Sequence, residues 1–239
     1  MAVIPISLGG VFVSLIPAVS VVVILYRWRM AYRDAMLALM RMLVQLLLVG
    51  FLLAWLFAVE QVFIVLAILM FMIVVSSWIS LRTVPAQRAA LFAQALLSIG
   101  VAGALVLGLL VIVILDVSPW YEPRFIVPLA GMFFANAMNS VSLTAERVHT
   151  ELKRGESYAE ARRTAFGAGL IPIMNSLFAV GLVSLPGMMT GQILAGVSPL
   201  IAVRYQIVIM AMVFAAAGLA SAAFLVLSRR RWLAADNAR

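Results

Sequence analysis

Seven apolar stretches dominate this chain, near residues 8–26, 37–57, 62–81, 90–115, 125–145, 170–194 and 203–227. Each is about the length an α-helix needs to cross bilayer hydrocarbon, roughly 20 residues. A segment surrounded by lipid must satisfy its own backbone polar groups, and a helix does so internally. The composition agrees: 66% of the 239 residues are hydrophobic and 11% charged, against about 45–50% and about 25% in an ordinary soluble domain. Mean hydropathy is +1.16. The expectation is an all-α integral membrane protein: one transmembrane domain over 1–239, about seven spans, and the lipid bilayer as its main surroundings. Spans and short connections use up the length and leave none for a separate soluble catalytic domain. Met1–Gly10 carries no Lys or Arg, so the first stretch reads as a span rather than a cleaved signal.

The chain has no cysteine and one histidine, His149. That excludes disulfides, thiolate metal sites, a cysteine nucleophile and any multi-histidine metal site within one chain. No GxxxxGK[ST], HExxH or GxSxG motif occurs, so nucleotide hydrolysis, zincin chemistry and serine-hydrolase chemistry have no visible machinery here.

Net charge is +8, from 17 basic and 9 acidic residues. The basic residues alternate from one side to the other. Arg27, Arg29, Arg33 and Arg41 follow the first stretch, and Arg82 and Arg88 the third. Arg147, Lys153, Arg154, Arg162 and Arg163 follow the fifth, and Arg229, Arg230, Arg231 and Arg239 the seventh. Only Arg124 and Arg204 fall on the opposite side. The positive-inside rule then predicts the N-terminus outside and the C-terminus, with a tail over 228–239, in the cytoplasm. That orientation needs an odd number of crossings. The charge fixes topology and does not mark a nucleic-acid surface.

Most connections are short. The exception, residues 145–169, is polar and highly charged. Ser157 followed by Glu160 forms a capping box, with Ser157 as N-cap of a helix over Tyr158–Ala165. Two readings stay open: a solvated helical hairpin, or a docking surface for a cytoplasmic partner.

The sixth stretch carries Pro186-Gly187 near its middle. Proline removes a helical hydrogen bond and clashes with the preceding turn. Backbone groups freed in lipid must find partners in protein or in a wet cavity, so a broken helix points to a pathway. The alternative is a simple kink, or a close crossing through Gly187 and Gly191 in a GxxxG pattern.

None of the nine acids falls in a span centre; Asp34, Glu60, Asp116 and Glu122 sit near boundaries and Asp236 in the tail. This argues against a proton-coupled carrier, which needs a buried carboxylate. The polar residues within the spans are neutral. Asn136, Ser140 and Thr144 recur every four residues and share a helix face, with Asn139 and Ser142 beside it. Gln45, Gln94, Asn175 and Gln192 complete the set. Such residues line pathways or hydrogen-bond between helices, the latter worth about 0.6 kcal/mol each. Met188 and Met189 adjoin the break; thioethers suit soft metals but more often fill space. The candidate pathway is therefore Asn136, Asn139, Ser140, Met188, Met189, Thr190 and Gln192, with Pro186 and Gly187 as the break.

The run GLVSLPGMMTGQILAG from Gly181 to Gly196, then Ser198-Pro199 and Arg204-Tyr205-Gln206-Ile207, resembles the FetB-like family of ABC transporter permeases. PLAGMFFANAM from Pro128 to Met138 and RMLVQ from Arg41 to Gln45, leading to Gly50, carry the same likeness. It extends over about 35–227. This family is linked to iron export in bacteria and is similar to plant aluminium-sensitivity membrane proteins. The resemblance implies the membrane half of a transporter in a bacterial inner membrane, working as a homodimer with two copies of a separate cytoplasmic ATPase. ATP would bind that partner, and this chain would hold no cofactor and no enzymatic activity of its own. A coupling segment on the ATPase would match Gly155–Ala161 through Leu170-Ile171-Pro172, which brings in Gly155, Glu156, Tyr158, Glu160, Arg162 and Arg163. Iron is the implied substrate, although no carboxylate or imidazole cage for it is visible; the metal, if one moves, travels chelated or is another species. The rival readings are an ATP-independent channel or facilitator, in which the basic loop only anchors to anionic lipid, and a structural subunit with no pathway.

Overall fold

The structure, a computed structural model, describes residues 7–56 and 61–237. Every regular element among them is helical: α1 (Leu8–Arg27), α2 (Tyr32–Leu56), α3 (Val62–Ser80), α4 (Arg88–Gly108), α5 (Pro123–Lys153), α6 (Tyr158–Ala179), α7 (Gly187–Leu194) and α8 (Pro199–Asn237). A wider π turn, Leu109–Ile114, extends α4. Six of these helices, α1–α5 and α8, are long and apolar enough to cross a membrane.

The predicted sixth span, 170–194, is not one helix. It divides into the second half of α6 and the eight-residue α7. Eight residues rise only about 12 Å, well short of the hydrocarbon thickness of about 30 Å. The physical reason lies at residues 180–186. Gly181 takes φ +82°, in the left-handed region that favours glycine. Pro186 then caps α7 in an extended conformation, with ψ 143°.

The chain falls into two compact units, residues 1–59 and 60–239. In the first, α1 and α2 form a helical hairpin. Ser7 caps α1, its hydroxyl accepting from the Gly10 amide at 3.1 Å. Arg29, at φ +56°, turns the chain, and the Tyr26 and Tyr32 rings meet edge to face at 5.1 Å.

The second unit is built around α5, which packs against α3, α4, α6 and α8. Its buried residues Ala130, Phe133, Phe134, Ala137, Val141, Ala145 and Val148 repeat every three or four positions, the spacing of one continuous helical face. Small residues allow neighbouring helices to approach it. A Cβ at Gly103 of α4 would collide with the Phe134 ring, and one at Gly169 of α6 with the Thr144 hydroxyl. The backbone of α6 therefore lies close against α5 at this crossing.

At 31 residues α5 rises about 46 Å, far beyond hydrocarbon thickness. It continues past the end of its apolar stretch to Lys153. A turn of four residues, Arg154–Ser157, then leads directly into α6. Gly155 makes this turn at φ +87°, and its amide donates to the Leu152 carbonyl at 3.1 Å, a left-handed glycine cap of the usual kind. The Ser157 hydroxyl accepts from the Glu160 amide at 3.3 Å, as the sequence predicts. Residues 145–169 are thus two helix ends joined by a tight turn, and the capped helix runs on to Ala179.

Candidate functional site

The break after α6 is held by its own backbone. The amides of Leu182, Val183 and Ser184 all donate to the Ala179 carbonyl, and the Gly181 amide donates to the Ser184 carbonyl at 3.0 Å. The helix-ending carbonyl is satisfied by a compact turn, which replaces the helical ladder that Pro186 would interrupt. In α7, the Pro186 carbonyl accepts from both the amide (3.0 Å) and the hydroxyl (3.1 Å) of Thr190. Thr190 thereby serves the helix start.

A cavity of about 550 Å³ lies where the end of α6, the break, α7 and the first half of α8 meet. Leu177, Pro186, Met189, Met210 and Phe214 give it an apolar lining. Gln206 of α8 is the polar exception. It is 6% exposed, and its side-chain oxygen is buried without a hydrogen-bond partner. An unmade hydrogen bond on a buried amide costs about 1–3 kcal/mol. Gln206 is thus the lining residue with unused hydrogen-bonding capacity. On α7 the Gln192 side-chain oxygen is likewise buried and unpartnered.

Of the predicted pathway residues, Pro186 and Met189 line this cavity. Met188 is 36% exposed and is not in the lining, and Gly187 is exposed at the start of α7. The α5 residues lie elsewhere. Asn136 donates its amide to its own helix, to the Met132 carbonyl at 2.8 Å. Asn139 is exposed. Ser140 is buried, donating to the Gly169 carbonyl of α6 at 2.8 Å and sharing a 2.7 Å hydrogen bond with Ser221 of α8. Ser140 thus makes the interhelical contacts of the packing alternative. Among the described residues no three His, Cys, Asp or Glu side chains come together as a metal cage.

Sequence reasoning missed Gln206 as a site residue. Its signal was a single amide between Tyr205 and Ile207, followed by the apolar run from Ile207 to Ala220. It missed Ser221 for the same reason.

At the α5–α6 turn, Gly155, Glu156, Glu160, Arg162 and Arg163 are exposed. Tyr158 is buried, its phenol donating to the Leu225 carbonyl of α8. Burial pushes that phenol above its ordinary pKa, against the Ser228 hydroxyl and the positive charges of Arg162 and Arg229, which pull it down. Tyr158 holds the start of α6 to α8. Beneath the turn Glu151, 7% exposed, receives Arg147 at 2.7 Å and Arg154 at 3.2 Å.

Long apolar helices packed around α5, with an interrupted helix beside a cavity, define a multi-pass helical membrane protein. The family described as "Uncharacterised protein family (UPF0014)" matches residues 8–233, and the chain belongs to it. Among its relatives, the UPF0014 membrane protein slr1647 of Synechocystis is 37% identical over 71% of both chains. The probable iron export permease protein FetB of Escherichia coli is 30% identical over 84% of this chain and 82% of its own. Protein ALUMINUM SENSITIVE 3 of Arabidopsis thaliana is 28% identical over 86% and 82%. The likeness carried by the 181–207 block and its companions is therefore borne out across the chain. No solved structure matches it.

Proposed function

We propose that this chain is the membrane permease subunit of an ABC transporter, exporting iron, another metal or a metal chelate with energy from a separate ATPase. The name of the E. coli relative supports the permease role and the iron substrate. The cavity beside the Pro186 break carries the reading for this chain: it is an apolar space at an interrupted helix, and one of its lining residues, Gln206, has a side-chain oxygen without a partner. Its chemistry favours a chelated metal over a bare ion, since no carboxylate or imidazole cage occurs among the described residues.

In this reading α6 and α7 together make the sixth of seven crossings, with the N-terminus outside and the C-terminus in the cytoplasm of a bacterium whose inner membrane holds the protein. The permease works as a homodimer with two ATPase subunits and binds no cofactor itself. The exposed turn at Gly155, Glu156, Glu160, Arg162 and Arg163 meets the ATPase, and Tyr158 transmits its movement to α8. Closure of the ATPase pair rocks the helices around the break, and substrate passes Met188, Met189 and Gln192. The Asn136–Asn139 face of α5 lines the deeper part of the route.

The test is co-purification with the candidate ATPase, then ATPase stimulation by a panel of metals and metal chelates. Stimulation by chelates above bare cations is expected. Transport that proceeds without the ATPase would make the protein a facilitator and overturn the proposal.

A further inference from the structure

The ends of α6 and α8 enclose a second feature, at the opposite end of α6 from the break. Two adjoining clefts, of about 590 and 400 Å³, share Arg162, Leu225 and Val226. Arg229 and Arg230 of α8 line the first, and Arg163 and Phe166 of α6 the second. Four arginines from two helices thus gather around one apolar floor.

Among the described residues none of the four has a carboxylate within ion-pair distance; the ion pairs there use Arg124, Arg147 and Arg154. Glu160 stands two residues before Arg162 but lines neither cleft. Arg229 lies with its guanidinium 6.0 Å from the Tyr158 ring centroid, a contact that orients it without neutralising it.

The level of the clefts identifies what they fit. Leu225 and Val226 belong to the last turn of the apolar stretch that ends at Leu227, and Arg229–Arg231 follow at once. Phe166, Leu225 and Val226 therefore stand at the edge of the hydrocarbon, while the guanidinium groups stand where lipid headgroups lie. A guanidinium holds a phosphate diester through paired hydrogen bonds. An acyl chain would cover the floor, which a soluble phosphate or a polar protein loop would leave bare.

We infer that the α6–α8 cleft is a binding site for an anionic phospholipid, its phosphate held by Arg229 and Arg230 of α8. This goes beyond the transport reading and stands without it. Its test uses the α8 arginines, which lie outside the segment assigned to the ATPase.

Native mass spectrometry of the purified full chain, in detergent with phosphatidylglycerol or phosphatidylcholine, reads the occupancy. Retention of phosphatidylglycerol over phosphatidylcholine is expected. Arg229→Gln with Arg230→Gln should lower it about tenfold or more, since each basic residue at an anionic membrane surface contributes about fivefold in affinity. Arg229→Lys with Arg230→Lys keeps the charge and should keep most of the retention, which separates charge from any fault in folding. Inorganic phosphate at millimolar concentration should not displace the lipid. Equal retention of both lipids, unchanged retention in the Gln variant, or displacement by phosphate alone would overturn the assignment. So would a Gln variant that loses the co-purified ATPase while retaining phosphatidylglycerol as the parent chain does.

Discussion

The Ser140 hydroxyl on α5 lies 2.7 Å from the Ser221 hydroxyl on α8 and 2.8 Å from the Gly169 carbonyl on α6. One buried group thus ties three helices together at the close crossing of α6 and α5 around Gly169. Side-chain hydrogen bonds between membrane helices are worth about 0.6 kcal/mol on average and up to about 1.7. Ser140→Ala should therefore destabilise the protein by about 1–2 kcal/mol in detergent unfolding. Ser221→Ala should cost less, and the double variant should show coupling of about 0.5 kcal/mol or more. Transport per folded molecule should persist in Ser140→Ala if its role is packing. A loss of transport with unchanged stability would return Ser140 to the pathway.

Gln206 leads to the opposite expectation. Its buried oxygen has no partner, so Gln206→Leu removes an unsatisfied group and is expected to be neutral or stabilising by up to about 1–2 kcal/mol. The cavity keeps its volume but loses its one polar handle. Chelate-stimulated ATPase activity of the assembled transporter should fall while the melting temperature holds or rises. Full activity would show that the cavity is not the binding site.

The Pro186 break is expected to matter for movement more than for assembly. Changing Pro186 and Gly187 to Ala favours continued helix by several kcal/mol in intrinsic propensity, about 3 for Pro and about 1 for Gly. The turn at residues 180–184, with Gly181 at φ +82°, resists that extension. Normal expression with transport reduced about tenfold is expected. Unchanged transport with normal assembly would remove the functional role of the break.

Much of this arrangement was legible because membrane folding is governed by segments. Six of the seven apolar stretches announce a helix, Pro186 announces that the other is interrupted, and Ser157 with Glu160 announces a start. The helix ends were less legible. Hydropathy falls where lipid ends, near Ala145, yet α5 continues to Lys153, because Arg147 and Arg154 converge on Glu151. On α6, Gly167, Gly169 and Pro172 look like breakers, but Gly169 serves the close approach to α5 and the helix accommodates Pro172. The cavity was the least visible part. It joins Leu177, Met189 and Gln206 from three helices, and no local pattern records which of them converge.

Tyr158 bears on how the α5–α6 turn is fixed. Its phenol donates to the Leu225 carbonyl, and burial raises its pKa. Because the folded state holds the proton more tightly, this contribution is complete below the unfolded value of about 10 and is lost as pH rises through the higher folded value. Above about pH 10 the parent chain should lose stability more steeply than Tyr158→Phe. Near neutral pH the variant should be less stable by about 1 kcal/mol, the net worth of one hydrogen bond. If Tyr158 also transmits motion from the turn, Tyr158→Phe, like Glu160→Gln with Arg163→Gln, should weaken the coupling of ATP hydrolysis to transport. The two differ in stability: the exposed pair should change it by less than about 0.5 kcal/mol. Parallel measurement of melting temperature and of substrate moved per ATP separates the anchor from the docking surface. Retained coupling in Glu160→Gln with Arg163→Gln would remove those residues from the ATPase contact.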